Sequence, residues 1–342
     1  MYPRKAEVLR AAIVGCGDVA GGYDESSADG SVFTHAGSYR RHARSIELKA
    51  CVEPDSSRRR AFQKAWRVES GLASLRELFS GDGSYDLISV CTPDRLHEEN
   101  LRAVISSGRA RMIWAEKPLT TSARSAEAVL KLARKRGVGV RLSNHRRWEP
   151  EHARLASELA DGLIGELVGF HASYVKGLTH IGCTMIDTLR LLLGEPRFIQ
   201  AIPPFDKGSY PGDPSISFFA DFGGAAGLVH GVDVDRYVYS VFEIEIIGAK
   251  GRVRVEENGE RVEIRRGRAD RRHGWHGELG EPEVRTTKLA DAFPRGLALM
   301  IKDLENGQTG DVSEALNGLR DLEIVDAIKR SAARGGKAVA IA

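Results

Sequence analysis

The residues whose chemistry is easiest to assign lie close to the N-terminus, where an apolar run ends in the pattern Gly-x-Gly-x-x-Ala. This order predicts a buried strand, a tight turn and then a helix. Gly15 permits the sharp turn, Gly17 lets a pyrophosphate approach the backbone, and Ala20 lets the helix pack on the strand. The N–H groups at the start of that helix attract phosphate. We therefore expect a dinucleotide site that includes Gly15, Gly17, Asp18, Val19 and Ala20.

An acidic residue, Glu53, ends the second strand-like run at 47–53. An acid at this place binds both hydroxyls of the adenosine ribose, and its charge repels a 2′-phosphate, so NAD is favoured over NADP. The arginines at 58–60 are close enough in sequence to shield such a phosphate, so NADP remains the alternative cofactor.

The stretch from the glycine turn to Glu53 is longer than the about 20 residues expected of a dinucleotide fingerprint. The excess falls at 21–39, which is rich in Gly, Ser and Asp and contains His35. We interpret it as a loop inserted beside the first helix, either a surface excursion or a flap near the cofactor.

Strand and helix patterns alternate through the first 143 residues. Continuous apolar runs such as 86–91 and 111–115 predict strands covered on both faces, which is typical of a doubly wound parallel sheet. After Asn144, strand-like runs follow one another with short turns, which predicts a mainly antiparallel sheet. The fold class is therefore α/β, with a Rossmann domain at 1–143 and an α+β domain at 144–342.

The composition excludes several classes of function. A net charge of +3 over 342 residues does not indicate nucleic-acid binding. No apolar run approaches the about 18 residues that span a membrane, and the early first strand leaves no room for a signal peptide. The four cysteines are far apart, which indicates free thiols in a reducing cytosol, so we expect a cytoplasmic protein. His273, Trp275 and His276 lack a further ligand at metal spacing, so we expect no metal site.

Several segments together resemble the Gfo/Idh/MocA oxidoreductases, the glucose–fructose oxidoreductase and inositol dehydrogenase family. They are the glycine turn, the strand end at 90–97, the tripeptide Glu116-Lys117-Pro118, the run 146–150, the helix 186–194 and the helix 313–331. The tripeptide at a strand end is the most specific of them. The resemblance implies NAD(P)-dependent oxidation or reduction of a sugar-like hydroxyl or carbonyl. It also implies an open antiparallel sheet in the second domain, and a homodimer or homotetramer built through that sheet.

Lys117 is the residue that we expect to handle the proton. It follows a parallel strand at its carboxyl end, the edge where open α/β sheets bind ligands, and Pro118 favours an extended conformation there. A lysine partly desolvated beside the nicotinamide has a lowered pKa and can accept the proton of an alcohol. The resemblance also places Glu116, Thr92, Pro93 and His97 on the cofactor; the alternative for His97 is a helix cap.

The helix near Asp187 departs from the family pattern of Asp, His four residues later and Asp three residues after that. The corresponding residues here are His180, Thr184 and Asp187, whose i, i+4, i+7 spacing keeps them on one helix face. His180 can do acid–base chemistry, whereas Thr184 can only orient a substrate hydroxyl. The alternatives are a hydrogen-bonded His180 at a helix start, and an Asp187 paired with Arg190.

Further substrate residues are expected at the junction of the domains. Arg147, with Arg146, can clamp a carboxylate or phosphate, Trp148 can stack on a sugar face, and Tyr174 precedes the helix of His180. The sequence therefore predicts an enzyme acting on a small, carbohydrate-like molecule. Because Thr184 replaces a histidine, two other hypotheses stay open: a non-catalytic dinucleotide-binding sensor of the same fold, and a reductase of a non-sugar substrate.

Overall fold

The computed structural model describes residues 8–25, 30–81, 83–206, 208, 210–232, 239–269 and 277–341. The chain divides into two compact units. The first is Met1–Trp148 with Ala290–Arg320, and the second is Glu149–Leu289 with Asp321–Ala342. In the described part of the chain, no helix is long and apolar enough to cross a membrane.

The first unit contains a parallel sheet with the order 3-2-1-4-5-6, the order of a doubly wound dinucleotide-binding fold. Its described strands are β1 (Leu9–Val14), β2 (Ile46–Val52), β3 (Ser70–Leu72), β4 (Tyr85–Val90), β5 (Ala110–Ala115) and β6 (Gly139–Leu142). Its helices are α1 (His35–Arg41), α2 (Ser56–Trp66), α3 (Leu75–Ser80), α4 (His97–Ser107), α5 (Ala123–Arg136) and α6 (His145–Trp148). The apolar runs predicted as strands are buried, because helices cover both faces of the sheet. The α/β fold class is confirmed.

The first helix of this unit is interrupted. After the glycine turn the chain makes one helical turn, in which the Gly21 N–H donates to the Gly17 carbonyl (3.2 Å). The helix then resumes at α1, where the His35 N–H donates to the Val19 carbonyl (3.2 Å) and the Ala36 N–H to the Ala20 carbonyl (2.9 Å). The excess residues are therefore inserted within the helix, not beside it.

Two polar residues close this insertion. The carboxylate of Asp24 accepts the Thr34 N–H (3.1 Å) and the Thr34 hydroxyl (2.5 Å), and the Thr34 hydroxyl accepts the Gly37 N–H (3.1 Å) as the cap of α1. The interpretation of 21–39 as one loop is thus wrong for 35–39, which are helical and buried. Residues 26–29 lie outside the described residues.

The second unit contains a sheet with the order 14-13-12-11-7-10-9-8-16, with strand 15 paired to strand 13. The pairs are antiparallel except that of strands 7 and 10, as the sequence predicts for a mainly antiparallel sheet. Its described strands are β7 (Leu167–Tyr174), β8 (Phe198–Ile202), β9 (Ser217–Asp221), β10 (Ala226–Gly231), β11 (Phe242–Gly248), β12 (Gly251–Glu256), β13 (Arg261–Ala269), β14 (Gly277–Leu279), β15 (Glu283–Thr286) and β16 (Val339–Ala340).

One face of this sheet forms the core of the second unit, since burial alternates along the strands. The helices α7 (Pro150–Ala160) and α8 (Cys183–Leu193) contribute to the core through residues such as Leu155 and Ile186. The last helices of the chain are α9 (Ala292–Glu305) and α10 (Ser313–Ala333). α9 packs in the first unit, where Leu297 and Met300 belong to the same apolar cluster as Trp114. The contiguous domains 1–143 and 144–342 stay a prediction, from which the compact units differ by the return of 290–320 to the first unit.

Candidate active site

The glycine turn joins β1 to the interrupted helix and is held between two strand ends. Gly15 has φ +89°, and a Cβ there would lie 2.8 Å from the Cys91 carbonyl oxygen, so only glycine fits. A Cβ on Gly17 would meet no heavy atom within 4 Å. The space over Gly17 is therefore open, and it fits the close approach of a dinucleotide pyrophosphate.

The carboxylate of Glu53 is buried beside this turn, 7% exposed. Its two oxygens accept the N–H of Cys16 (3.1 Å) and the N–H of Asp55 (3.1 Å). An ionised carboxylate has about four acceptor positions, so two remain for the hydroxyls of a ribose. The guanidinium of Arg58, whose side chain is 59% exposed, lies 3.8 Å from the same carboxylate. The acid that favours NAD and an arginine that can shield the 2′-phosphate of NADP are therefore neighbours.

The residues that follow β4 form a second part of the same sheet edge. The ring of His97 is 1% exposed, and its two nitrogens lie 2.6 Å from the Pro118 carbonyl oxygen and 2.7 Å from the Thr92 carbonyl oxygen. His97 thus joins the end of β4 to the end of β5 and is not the cap of α4, whose cap is Leu96, while its contact with the cofactor stays a prediction. Thr92 accepts from the Asn100 amide through its hydroxyl (3.2 Å), and Pro93 begins the turn into α4.

Lys117 is half-buried directly after β5 and follows the buried Glu116. Burial alone raises the pKa of the Glu116 carboxyl. Hydrogen bonds from His35 and Ser143 and the charge of Lys117 lower this pKa by more than burial raises it, so the pKa lies below the ordinary value. The carboxylate also accepts the Lys117 N–H (3.3 Å). The lysine therefore has a fixed negative charge at its base.

Asn144, at the carboxyl end of β6, carries a donor that faces no protein acceptor. Its side chain is 7% exposed, and among the described residues its Nδ2 atom has no hydrogen-bond partner. A buried amide without a partner costs free energy, which a ligand acceptor at this edge can offset. Asn144 was not among the predicted site residues, and its sequence position after β6 was the signal available.

Two of the predicted substrate residues in α6 differ in exposure. Arg147 is half-buried. Trp148 is 9% exposed, and its ring packs against Gly296 of α9 and lies 6.2 Å from the Trp114 ring centre. Trp148 therefore packs in the core of the first unit, and its stacking on a sugar stays a prediction.

In the second unit, His180 lies in a π-helical turn, Gly177–Gly182, that precedes α8. The carboxylate of Asp213 accepts the N–H groups of Thr179 (2.8 Å) and His180 (2.8 Å), and the His180 ring stacks on Tyr210 at 4.6 Å between ring centres. The Lys329 amine donates to the Thr179 hydroxyl (2.8 Å). Because the π turn breaks the α-helical period, the predicted single face from 180 to 187 does not apply across it.

Thr184 and Asp187 follow on α8 and are 6% and 1% exposed. Arg190 donates to Asp321 (2.6 Å) and Glu195 (2.6 Å).

Tyr174 is 0% exposed and its hydroxyl donates to the Ile216 carbonyl (2.8 Å). Tyr174 is therefore a core residue, and its contact with a substrate stays a prediction.

The cysteines are buried and free, and burial raises the pKa of the Cys91 thiol well above its ordinary value. Within the described ranges, no group of three or more His, Cys, Asp or Glu residues is arranged to hold a metal ion. His273, Trp275 and His276 lie outside the described residues.

Comparison with known proteins supports the sequence resemblance. The dTDP-3,4-didehydro-2,6-dideoxy-alpha-D-glucose 3-reductase of Actinomadura kijaniata is 26% identical over 257 residues, which cover 72% of this chain and 60% of that protein. The inositol 2-dehydrogenase of Pseudarthrobacter chlorophenolicus is 29% identical over 182 residues, 52% of this chain and 49% of that protein. The chain thus spans less than two thirds of the length of both relatives.

Solved structures share the whole fold. Levoglucosan dehydrogenase in complex with NADH and levoglucosan superposes with a TM-score of 0.78 at 19% identity, covering 98% of this chain and 100% of that one. The WlbA dehydrogenase of Bordetella pertussis in complex with NADH and UDP-GlcNAcA gives 0.76 at 19% identity, covering 98% and 99%. Residues 9–143 match the model of an oxidoreductase family with an NAD-binding Rossmann fold. The matched segment, residues 9–143, is therefore similar to the NAD-binding domain of the Gfo/Idh/MocA oxidoreductases.

Proposed function

We propose that the chain is an NAD-dependent dehydrogenase or reductase that acts on a hydroxyl or carbonyl of a sugar, cyclitol or sugar nucleotide. The observation that carries this proposal is Lys117, half-buried at the carboxyl end of β5 and joined to the ionised, buried Glu116. The open space over Gly17 and the carboxylate of Glu53 supply the two features that a dinucleotide requires at the same sheet.

The chemistry divides between cofactor and protein. The nicotinamide, when bound, takes a hydride from the substrate carbon or returns one to it. The Lys117 amine takes the hydroxyl proton during oxidation and donates it to the carbonyl oxygen during reduction. Asn144 offers its buried N–H to an acceptor on the bound ligand.

The preference for NAD over NADP follows from Glu53. A buried carboxylate repels a 2′-phosphate, while Arg58 is mostly exposed and its guanidinium is drawn towards that same carboxylate. We therefore propose NAD as the main cofactor.

The proposal is tested by following NADH formation with a panel of myo-inositol, scyllo-inositol and levoglucosan, and NADH consumption with the keto forms of sugars. Lys117→Met keeps the length of the side chain and removes the amine, so turnover should fall by about a hundredfold or more while NADH still binds. Lys131→Met is the matched control, because Lys131 is 69% exposed on α5. Full turnover by Lys117→Met, or no binding of NAD(H), contradicts the proposal.

On the second unit we propose that His180, Thr184 and Asp187 contact the substrate, with His180 as an acid–base group. Thr184 is the observation that favours the second candidate, a dinucleotide-binding sensor, because a threonine hydroxyl does not take up a proton near neutral pH. The sensor hypothesis requires NADH binding without turnover across the whole panel. Turnover of any member rejects it.

We further propose a homodimer or homotetramer formed through the open face of the second unit's sheet. Phe219, Leu228, His171, Glu245 and Arg254 are paired across five neighbouring strands and so share that face. Leu228 is 36% exposed. Light scattering after size exclusion should give a multiple of 37.4 kDa, and Leu228→Asp should lower it. A monomeric parent chain contradicts this proposal.

A further inference from the structure

His35 is the first residue of the resumed helix α1, and both of its ring nitrogens are bound inside the first unit. Nδ1 lies 2.9 Å from the Ser89 hydroxyl and Nε2 lies 2.9 Å from the Glu116 carboxylate. The ring is 0% exposed and lies 3.8 Å from the Trp114 ring centre. Neither edge nor face of this imidazole is therefore available to a ligand.

One arrangement of protons satisfies every atom of this buried chain. The Tyr39 hydroxyl donates to Ser89 (2.7 Å), the Ser89 hydroxyl donates to Nδ1 of His35, and Nε2–H of His35 donates to Glu116. Two strands and α1 thus meet at the carboxylate that precedes Lys117. Such a fully satisfied chain is rigid, and it directs one oxygen of Glu116 away from the lysine.

We propose that His35 is a positioning residue, which acts through Glu116 to keep the carboxylate ionised and turned so that it orients the Lys117 amine. This inference rests on the proposed function of Lys117. His35 itself touches neither substrate nor cofactor, and it stands at the point where the insertion returns to the glycine turn.

The remaining titratable groups that face Glu116 are few in the described part of the chain. They are Lys117, the buried thiol of Cys91 from the end of β4, and the mostly exposed Tyr23 from the insertion. Partial desolvation and the nearby charges of Asp18 and Glu116 raise the pKa of Tyr23. The pKa of the Cys91 thiol is also raised, so at neutral pH neither Cys91 nor Tyr23 supplies a charge. The charge that faces Glu116 is therefore that of Lys117, while His35 supplies the hydrogen bond to Oε1 of the carboxylate.

A pair of variants separates the two hydrogen bonds of the ring. In His35→Gln the side-chain amide reaches the place of Nε2 and keeps the bond to Glu116. In His35→Asn it reaches only the place of Nδ1, so Glu116 loses the donor that faces its Oε1. The carboxylate then turns towards the Lys117 amine, and its closer negative charge disfavours the neutral lysine.

The test is the pH dependence of kcat in the oxidation direction, with NAD+ and the panel member that gives the highest turnover. We expect His35→Asn to lower kcat by about tenfold or more, with the KM for NAD+ unchanged, and to move the acidic limb about one pH unit higher. His35→Gln should restore both values to within about threefold of the parent. Glu116→Gln removes the charge and should move the limb lower instead.

NADH binding and the urea midpoint of each variant show that it is folded. If His35→Asn fails to fold, Ser89→Ala, which frees the opposite edge of the ring, should give a smaller shift in the same direction. An unshifted limb in the folded variants overturns the inference while leaving the role of Lys117 intact. Full turnover by Lys117→Met removes the proposed function, and this inference with it.

Discussion

Two glycines of the turn after β1 should separate folding from cofactor binding. Gly15 and Gly17 are two residues apart, yet a methyl group on each meets different surroundings. On Gly15 it would lie 2.8 Å from the Cys91 carbonyl oxygen with φ at +89°, whereas on Gly17 no heavy atom lies within 4 Å. Gly15→Ala should therefore lower stability, and Gly17→Ala should lower affinity for NADH.

The expected sizes follow from these distances. A left-handed conformation costs a residue with a Cβ about 1–2 kcal/mol, and the overlap with the Cys91 carbonyl adds about 1–3 kcal/mol for the backbone shift that relieves it. Gly15→Ala should thus lower the free energy of unfolding by about 2–5 kcal/mol. Gly17→Ala should change it by less than about 0.5 kcal/mol, but should raise the Kd for NADH about tenfold or more, because the methyl group occupies the approach of the pyrophosphate.

Urea unfolding followed by tryptophan fluorescence reports on the first unit, which contains the buried Trp114. NADH fluorescence gives the dissociation constant on the same samples. If Gly17→Ala is as unstable as Gly15→Ala and binds NADH normally, the space over Gly17 is not the pyrophosphate site and the reasoning fails.

Three further predictions follow from which charged and titratable side chains are buried. Glu53→Gln should lower the ratio of kcat/KM for NAD over NADP by about tenfold, equivalent to about 1.4 kcal/mol, and an unchanged ratio in steady-state assays would remove Glu53 from cofactor choice. Asp321→Asn leaves the guanidinium of Arg190 (5% exposed) without one of its carboxylates, so it should cost about 3–5 kcal/mol in urea unfolding. Asp291→Asn at an exposed pair (41% exposed) should cost less than about 1 kcal/mol, and equal losses would contradict the burial argument. Burial raises the pKa of Tyr39 far above 10.0, so the folded state keeps a proton that the unfolded chain releases. Stability is then complete below pH 10 and should fall by about 1.4 kcal/mol per pH unit above it, a slope that Tyr39→Phe should reduce.

The parts of the fold that local patterns determine were predictable from the sequence. Strands such as 86–91 and 111–115 are apolar because both faces of the sheet are covered, and β4 and β5 follow them to within one residue at either end. The runs 47–53 and 111–115 also place Glu53 and Lys117 at strand ends, because a polar residue at the end of a buried run marks the edge of the sheet. Whether these residues hold the cofactor and the proton stays a prediction.

Features that depend on distant partners were not predictable. The bond from His35 to Val19 crosses the insertion, and the bond from His35 to Glu116 crosses 81 residues, so no spacing rule reveals either. Trp148 and Tyr174 have amphipathic side chains that suit a binding cleft as well as a core. Their burial was decided by Gly296 and by the Ile216 carbonyl, which lie far away in the chain.

Thr184 stands where the family pattern has a histidine. The proton transfer that we propose therefore depends mainly on groups of the first unit. Glu116 is ionised at neutral pH, and Cys91 and Tyr39 hold their protons because burial raises the pKa of both. Among the described residues of the first unit, Lys117 is then the group that we propose to exchange a proton with the substrate. The acidic limb that Lys117 gives to the parent kcat profile should therefore have unit slope, because a single proton leaves the amine.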